Sequence, residues 1–249
     1  MVILKLPEEI KKAQASNSIV AEVLERLREK VKPGVTTKEL DKFAEDWAAK
    51  RGAKPAFKGY RGYPFALCAS VNEEVVHGMP SGRVLNEGDI VGLDFGVYYQ
   101  GFFGDATITL PVGNVGANAR RLMEVTEQSL YDGIRQAKEG NRLGDVSAAV
   151  QQTVEAAGFS VVRDFVGHGI GRSLHEEPQI PNYGKKGRGL ELKTGMIFAI
   201  EPMVNEGGYR VKVLSDGWTV VTEDGKLSAH FEHSVAITDN GPLILSRLN

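Results

Sequence analysis

The chain has 249 residues, of which 42% are hydrophobic and 25% charged, a composition typical of a globular protein with a sizeable core. Its net charge of -2 argues against strongly electrostatic attachment to DNA or to a membrane surface. Cys68 is the single cysteine, which excludes an intramolecular disulfide, and no apolar run has the length of a secretory signal or a membrane span. We therefore expect a soluble, cytoplasmic protein.

Two amphipathic helices are predicted at the start of the chain. From Pro7 onward, apolar residues recur at spacings of three, four or seven until the sequence KPG at 32–34. A second helix is expected to open at a capping box formed by Thr36 and Glu39, and to end at residues 51–52. Strands are then predicted, the last two as a hairpin, over residues 65–71, 90–99 and 107–112.

The second half of the chain repeats this order. Helices are predicted around residues 122–134 and 146–154, with strands that begin near residues 160, 196, 209, 218 and 234. The helix-ending glycines and the strand acids of the two halves match at a nearly constant offset. We infer an internal duplication within one α+β domain, residues 1–249, with repeat halves of approximately 8–115 and 116–245.

Four carboxylates occur in strands that are otherwise apolar or built of small residues. Asp94 and Asp105 lie on the first hairpin, and Glu201 and Glu232 occupy the corresponding places in the second half. Any one of them alone fits an ordinary salt bridge or hydrogen bond, but buried carboxylates are costly unless they are paired or bind a metal. If the halves pack about a pseudo-twofold axis, the four acids converge and two divalent cations relieve their repulsion. With one imidazole, from His168, this donor set favours manganese, iron or cobalt.

Two further motifs carry a resemblance. The sequence FVGHGIG around His168 is followed by LHEEP around His175, and NEEVVHG precedes them around His77. Together with the four acidic motifs, they resemble the type I methionine aminopeptidases, the short bacterial form, over essentially the whole chain. The resemblance implies the pita-bread (creatinase/aminopeptidase) fold of family M24, with two pseudo-twofold halves of helices packed on a curved antiparallel sheet. It also implies removal of the initiator methionine from nascent proteins whose second residue is small.

The resemblance assigns roles to the metal-binding residues. Asp94 would bind one ion, Asp105 and Glu232 would bridge two, and His168 and Glu201 would complete the second. Glu201 would also act as proton shuttle while a hydroxide held by the two ions attacks the scissile carbonyl. The implied ions are cobalt, manganese, iron, zinc or nickel.

The resemblance also indicates which residues hold the substrate. His77 and His175 would contact the scissile peptide and stabilise the tetrahedral intermediate. The methionine side chain would be held by groups that suit a thioether: Tyr60, Tyr63, Cys68, Leu174 and Trp218. Asn72 and Ser228 resemble positions near a monovalent cation. His230 and His233, which flank Glu232, are expected to be structural or supporting groups that point away from the metals.

Two other functions remain open for this fold. Xaa-Pro dipeptidases and aminopeptidases share it, but commonly carry a separate N-terminal domain for which the chain is too short. Non-catalytic binding proteins share it too, but would lack metal ligands, and all five are present. The expected partners are nascent polypeptide N-termini. The sequence KKGR at 185–188 fits a solvated loop, with a transient ribosome contact as the alternative, and a monomer is expected.

Overall fold

The computed structural model describes residues 2–248. Its helices are α1 (Pro7–Arg28), α2 (Thr37–Lys50), α3 (Ala117–Gln136) and α4 (Leu143–Ala156), with a short 3-10 turn at Tyr60–Gly62. The strands of the first half are β1 (Lys54–Pro55), β2 (Leu67–Val71), β3 (Glu74–Val76), β4 (Ile90–Tyr99) and β5 (Phe102–Pro111). Those of the second half are β6 (Ser160–Val161), β7 (Gly167–Gly169), β8 (Glu176–Ile180), β9 (Ile197–Ile200), β10 (Met203–Asn205), β11 (Val211–Val213), β12 (Val220–Thr222), β13 (Ser228–His230), β14 (Glu232–Thr238) and β15 (Gly241–Ile244).

The four predicted helices are confirmed, and local chemistry explains where they begin. Pro7 opens α1, a position where its missing N–H is not needed. The capping box of α2 is formed, because the Thr36 hydroxyl accepts from Glu39 N at 3.2 Å and Glu39 accepts from Thr36 N at 2.7 Å. None of the helices within residues 2–248 is long and apolar enough to cross a membrane.

One predicted strand boundary is wrong. The second hairpin strand begins at Phe102, not at 107, and pairs with β4 along its full length. Gln100 and Gly101 form the two-residue turn, both with positive φ, 49° and 87°. Residues 102–106, which precede the predicted start, are therefore strand residues as well. At Gly104, a Cβ atom would lie 2.7 Å from Asn17 N of α1, so glycine is what lets the helix pack here.

A nine-stranded antiparallel sheet organises the molecule. Its strand order is β1-β4-β5-β14-β9-β7-β8, with β2 added beside β4 and β15 beside β14. Strands of the first and second halves therefore meet where β5 pairs with β14. Two small three-stranded sheets, β13-β10-β6 and β11-β12-β3, complete the described strands.

Two apolar clusters hold the helices on one face of this sheet. The first joins α1 and α2 to β2, β4 and β5, and includes Leu27, Leu40 and Phe95. The second joins α3 and α4 to β9 and β14, and includes Leu130 and Phe198. Burial of these side chains is the main stabilising contribution to each layer. The α+β class predicted from the sequence is confirmed, and the opposite face of the sheet is left to the polar groups described next.

Candidate active site

Strand register brings the acids of the two halves together. Asp94 on β4 pairs with Thr107 on β5, which pairs in turn with Glu232 on β14. Asp105 precedes Thr107 by two residues and so points to the same side of the sheet. The Thr107 hydroxyl donates to Glu232 Oε2 at 2.9 Å. The pleat of three adjacent strands thus collects three carboxylates on the face away from the helices.

His168 and Glu201 approach this row from the other edge. His168 on β7 pairs with Ala199 on β9, and Glu201 directly follows β9. The His168 Nε2 atom lies 3.6 Å from Glu201 Oε1. A Cβ atom on the neighbouring Gly167 would lie 2.4 Å from Ala199 O, so the strands can approach this closely only at glycine.

Burial leaves these acids poorly solvated. It raises the pKa of Asp94 to about 6, and the pKa values of Asp105, Glu201 and Glu232 well above their ordinary range, helped by repulsion among the carboxylates. One oxygen each of Asp94, Asp105 and Glu232 is buried without a hydrogen-bond partner. A buried oxygen without a partner raises the free energy of the folded state unless a cation or a proton binds to it.

The donor set fits divalent cations. His168 Nδ1 lies 2.9 Å from Gly169 O, an arrangement in which Nδ1–H donates and the Nε2 lone pair faces the acids. Burial lowers the pKa of His168 to about 3, so the ring is neutral, as a ligand must be. Ligand atoms of Asp105, His168 and Glu232 all lie within 4.8 Å of one another. The structure therefore brings together the five residues predicted as ligands, Asp94, Asp105, His168, Glu201 and Glu232, around one cavity.

The two histidines predicted to contact substrate also line this cavity. His175 Nδ1 lies 2.9 Å from the Tyr60 hydroxyl, and its ring centroid is 4.2 Å from that of His168. His77 adopts a left-handed backbone conformation, φ 59°, of the kind that is often retained at functional sites. Burial lowers the pKa of both His77 and His175 to about 4, so both are neutral donors at neutral pH.

The cavity itself encloses about 170 Å³ and has an aromatic wall. The rings of Tyr63 and Trp218 meet edge to face at 5.0 Å, and the Tyr63 hydroxyl donates to Leu67 O at 3.1 Å. Cys68 and Leu174 are buried beside them, and burial raises the pKa of the Cys68 thiol, which keeps it neutral and soft. Every residue predicted for the methionine pocket lines this cavity: Tyr60, Tyr63, Cys68, Leu174 and Trp218.

Two further lining residues were not predicted, Phe57 and Arg61. Both lie on the loop that carries Tyr60 and Tyr63, where Gly59 and Gly62 have positive φ values of 87° and 90°. These glycines mark a tight turn in the sequence, and the turn folds neighbouring side chains over the cavity.

The expectation for the histidines beside Glu232 is wrong for one and correct for the other. His230 Nε2 lies 3.6 Å from Glu201 Oε2, is buried, and has no hydrogen-bond partner. His230 ends β13 of a small three-stranded sheet, which carries it to the acids, whereas Glu232 and His233 are consecutive residues of β14 in the large sheet and point to opposite faces of it, His233 to the helix side. There, His233 Nδ1 bonds Ser246 Oγ at 2.8 Å, and Tyr131 lies beside the ring.

Asn72 and Ser228 lie together but outside the cavity lining. Ser228 N donates to Asn72 O at 2.9 Å. The Asn72 side chain donates to Asp89 and accepts from Ile90 N, while the Ser228 hydroxyl contacts Asn205 Oδ1 at 2.9 Å. A monovalent cation near this pair stays a prediction.

Known proteins resemble this chain along its whole length. The profile of Metallopeptidase family M24 matches residues 11–239. The methionine aminopeptidase of Clostridium perfringens is 56% identical over 246 residues, covering 99% of both chains. Methionine aminopeptidase 1 of Bacillus subtilis is 52% identical over 248 residues, covering 100% of both. Among solved structures, methionine aminopeptidase from Thermotoga maritima has a TM-score of 0.98 at 50% identity, covering 100% of both chains.

A more distant likeness concerns the fold alone. Prolidase from Pyrococcus furiosus has a TM-score of 0.81 at 24% identity, with 99% of this chain covering 66% of that one. The pita-bread fold predicted from the sequence is thereby confirmed, and the Xaa-Pro alternative is not favoured over the full-length relatives.

Proposed function

The chain belongs to metallopeptidase family M24 and, within it, to the methionine aminopeptidases, and we propose that it removes the initiator methionine from nascent proteins whose second residue is small. One observation carries the proposal. A buried set of carboxylates with three unpartnered oxygens opens into a cavity walled by Tyr63, Trp218 and Leu174. The carboxylates that could support hydrolysis thus lie directly beside an apolar pocket that can hold one side chain.

The site would hold two divalent ions through Asp94, Asp105, His168, Glu201 and Glu232. When bound, they would supply a nucleophile from water at neutral pH and polarise the scissile carbonyl. The structure supports this ligand set through the distances and orphaned oxygens given above. Cobalt, manganese, iron, zinc and nickel all accept such donors.

Protein groups would then handle the proton and the developing charge. Glu201 lines the cavity, mostly shielded from solvent, and has a raised pKa, which suits a carboxyl that takes up a proton and passes it to the leaving amine. With Nδ1 accepting from the Tyr60 hydroxyl, 2.9 Å away, His175 would keep its ring proton on Nε2 for donation into the cavity. His77, which lines the same cavity, offers a second neutral donor.

The pocket would select methionine by shape and polarisability. Tyr63 and Trp218 present ring edges and faces that suit a thioether, and the neutral Cys68 thiol adds a soft contact. Tyr60 and Leu174 close the same wall. A substrate whose first side chain is polar would lose hydration here without compensation.

The test is release of methionine from Met-Ala-Ser by the protein loaded in turn with each candidate metal. We expect turnover with at least one of manganese, iron or cobalt, loss on chelation, and recovery when metal is restored. Met-Leu-Ser, with a large second residue, should be a poor substrate. Faster cleavage of Xaa-Pro dipeptides than of Met-Ala-Ser would move the assignment to the prolidases, and inactivity with every metal would contradict it.

The finer parts of the proposal concern the surroundings of the site. We place both repeat halves in one catalytic domain, a monovalent cation near Asn72 and Ser228, and the protein in the cytoplasm as a monomer. The exposed loop 185–188, with three cationic side chains, would give a transient contact with the ribosome. Salt-sensitive co-sedimentation with ribosomes, lost when the three cations are replaced by glutamate, would test that contact.

A further inference from the structure

An extended arm, residues 2–6, precedes α1 and packs beside the turn that carries His175. Lys5 N donates to Gly195 O at 2.7 Å, and Val2 packs against the second apolar cluster. The segment 171–176, which we call the His175 turn, follows β7 and ends on the first residue of β8. The arm and the turn are in close contact, because a Cβ atom on Gly171 would lie only 2.5 Å from Lys5 Cε.

A buried ion pair joins the arm to the turn. Lys5 Nζ contacts Glu176 Oε2, with only 4% and 10% of the two side chains exposed. Lys5 also donates to Ile3 O at 3.1 Å. Buried pairs of this kind contribute little net stability compared with apolar replacements, so stability alone does not account for it.

The carboxylate of Glu176 also shapes the turn itself. Its other oxygen, Oε1, accepts from Arg172 N at 2.7 Å and from Ser173 N at 3.1 Å. Glu176 directly follows His175, and Leu174, which lines the methionine pocket, lies between the bonded amides and His175. The backbone that presents both cavity residues is therefore fixed by one side chain, which is held in turn by Lys5.

A second, exposed tether runs in parallel. Arg172 donates to Glu9 Oε1 of α1 at 2.7 Å, and its guanidinium lies over the Phe102 ring at 5.0 Å. Gly171 O accepts from Phe103 N at 2.8 Å. The first residues of the His175 turn are thus bound to the start of the chain and to β5. The cavity residues Leu174 and His175 lie near the other end of the turn.

We propose that Lys5 is a positioning residue for the reaction: through Glu176 it holds the His175 turn so that the His175 imidazole faces the scissile bond. The inference rests on the proposed function, because His175 matters only if a peptide is cleaved there. The Tyr60 contact orients the imidazole ring, but it does not bind the turn's own amides. Those amides depend on Glu176, and Glu176 is buried against Lys5.

The experiment compares three variants with the wild-type, metal-loaded enzyme on Met-Ala-Ser. Lys5→Met removes the charge while keeping side-chain length, and Lys5→Arg keeps the charge. Arg51→Gln is the control, because it breaks an ion pair outside the cavity: Arg51, which directly follows α2, contacts Glu22 of α1 at 3.0 Å. For each variant, kcat, KM, bound metal and the amide hydrogen exchange of residues 172 and 173 are measured.

We expect Lys5→Met to lower kcat about tenfold, because a shift of a positioned group by a fraction of an ångström has this order of effect. KM and bound metal should stay close to wild type, and exchange at residues 172 and 173 should become faster. Lys5→Arg should recover part of kcat, and Arg51→Gln should change neither kcat nor exchange. In a His175→Ala background, Lys5→Met should lower kcat no further.

Three results would overturn the inference. The first is an unchanged kcat in Lys5→Met. The second is that Lys5→Met lowers kcat in the His175→Ala background as much as it does in the wild-type background, which would indicate an effect that does not pass through His175. If Lys5→Met does not fold, Glu176→Gln replaces it; unchanged kcat in that variant is the third. A wild-type enzyme that releases no methionine would instead refute the proposed function, which separates the two failures.

Discussion

The imidazole of His230 faces the carboxylate of Glu201, with Nε2 3.6 Å from Oε2. His230 is fully enclosed, its Nε2 atom has no hydrogen-bond partner, and burial lowers its pKa to about 4. A second small cavity, of about 120 Å³, lies beside the two groups and borders His77 and Phe165. At 3.6 Å the two atoms lie just beyond hydrogen-bond distance, and a neutral imidazole protonated at Nε2 is able to donate to the carboxylate when the side chains move closer.

The first prediction concerns this contact. His230→Gln keeps an N–H near the Nε2 position, whereas His230→Leu removes this donor. We expect the leucine variant to lose about tenfold in kcat, since one donor near a proton-transferring carboxylate is worth about 1–2 kcal/mol. The glutamine variant should stay within about threefold of wild type. Steady-state kinetics on Met-Ala-Ser decides, and equal activity of wild type and His230→Leu would show that the contact has no role in turnover.

The second prediction separates catalysis from folding. Asp94→Asn and Glu201→Gln should each lower methionine release by roughly 10²–10⁴-fold, the range for loss of a group that holds a cation or transfers a proton. Without metal, both variants should melt at or above the temperature of the wild type, because each removes one buried carboxylate from a mutually repelling set. Turnover close to wild type in either variant would refute the ligand assignment.

The third prediction follows from the raised pKa values of the acids. Burial raises the pKa of Asp94 to about 6 and holds that of Glu232 well above its ordinary range, so the metal-free site binds protons more tightly than ordinary carboxylates do, and a cation must displace them. Metal binding at about pH 7 should therefore release protons, and apparent affinity should fall as pH is lowered towards about 5.5. His168, with a pKa of about 3, contributes no proton.

Calorimetry measures this proton release when manganese binding is followed in two buffers of different ionisation enthalpy. Carboxylates with ordinary pKa values near 4 would already be ionised, and would release nothing at neutral pH. A binding enthalpy that does not depend on the buffer would therefore contradict the burial of these acids.

The sequence predicted the site best where a residue type is rare in its structural setting and so has few explanations. Acids inside apolar strands, such as Asp94 and Glu232, needed a partner, and strand register alone then brought them into one row. The resemblance to methionine aminopeptidases, drawn from the motifs around His168, is confirmed by the full-length relatives. Helix bounds followed from caps such as that of Thr36.

Other features depend on contacts between distant segments and could not be predicted. The ion pair of Lys5 with Glu176 joins residues 171 positions apart, and a lysine near the chain start has no local pattern that marks it as buried. Short strands such as β7 were missed because glycines lower strand propensity, although Gly167 is required by its close approach to Ala199. The direction of His230 was predicted wrongly because it depends on β13, a three-residue strand of a separate small sheet that no local sequence pattern marks.

The fourth prediction tests how α1 supports the metal site. A Cβ atom on Gly104 would lie 2.7 Å from Asn17 N and 2.9 Å from Asn17 Cα, both backbone atoms of the helix. Asn17 is buried, and its Oδ1 accepts from Asp105 N at 3.2 Å, so the helix meets the strand beside a predicted metal ligand. Gly104→Ala must push α1 outward, and overpacking of this kind costs about 1–3 kcal/mol.

Gly82→Ala is the matched control, because Gly82 is exposed and a Cβ atom there would meet nothing within 4 Å. Thermal unfolding of both variants should show a lowered melting temperature for Gly104→Ala and little change for Gly82→Ala. Since the shift of α1 also moves the acceptor of Asp105 N, manganese affinity should fall in the first variant alone. If Gly104→Ala melts like Gly82→Ala, the helix has room to move at this contact, and the support that it gives to Asp105 is not rigid.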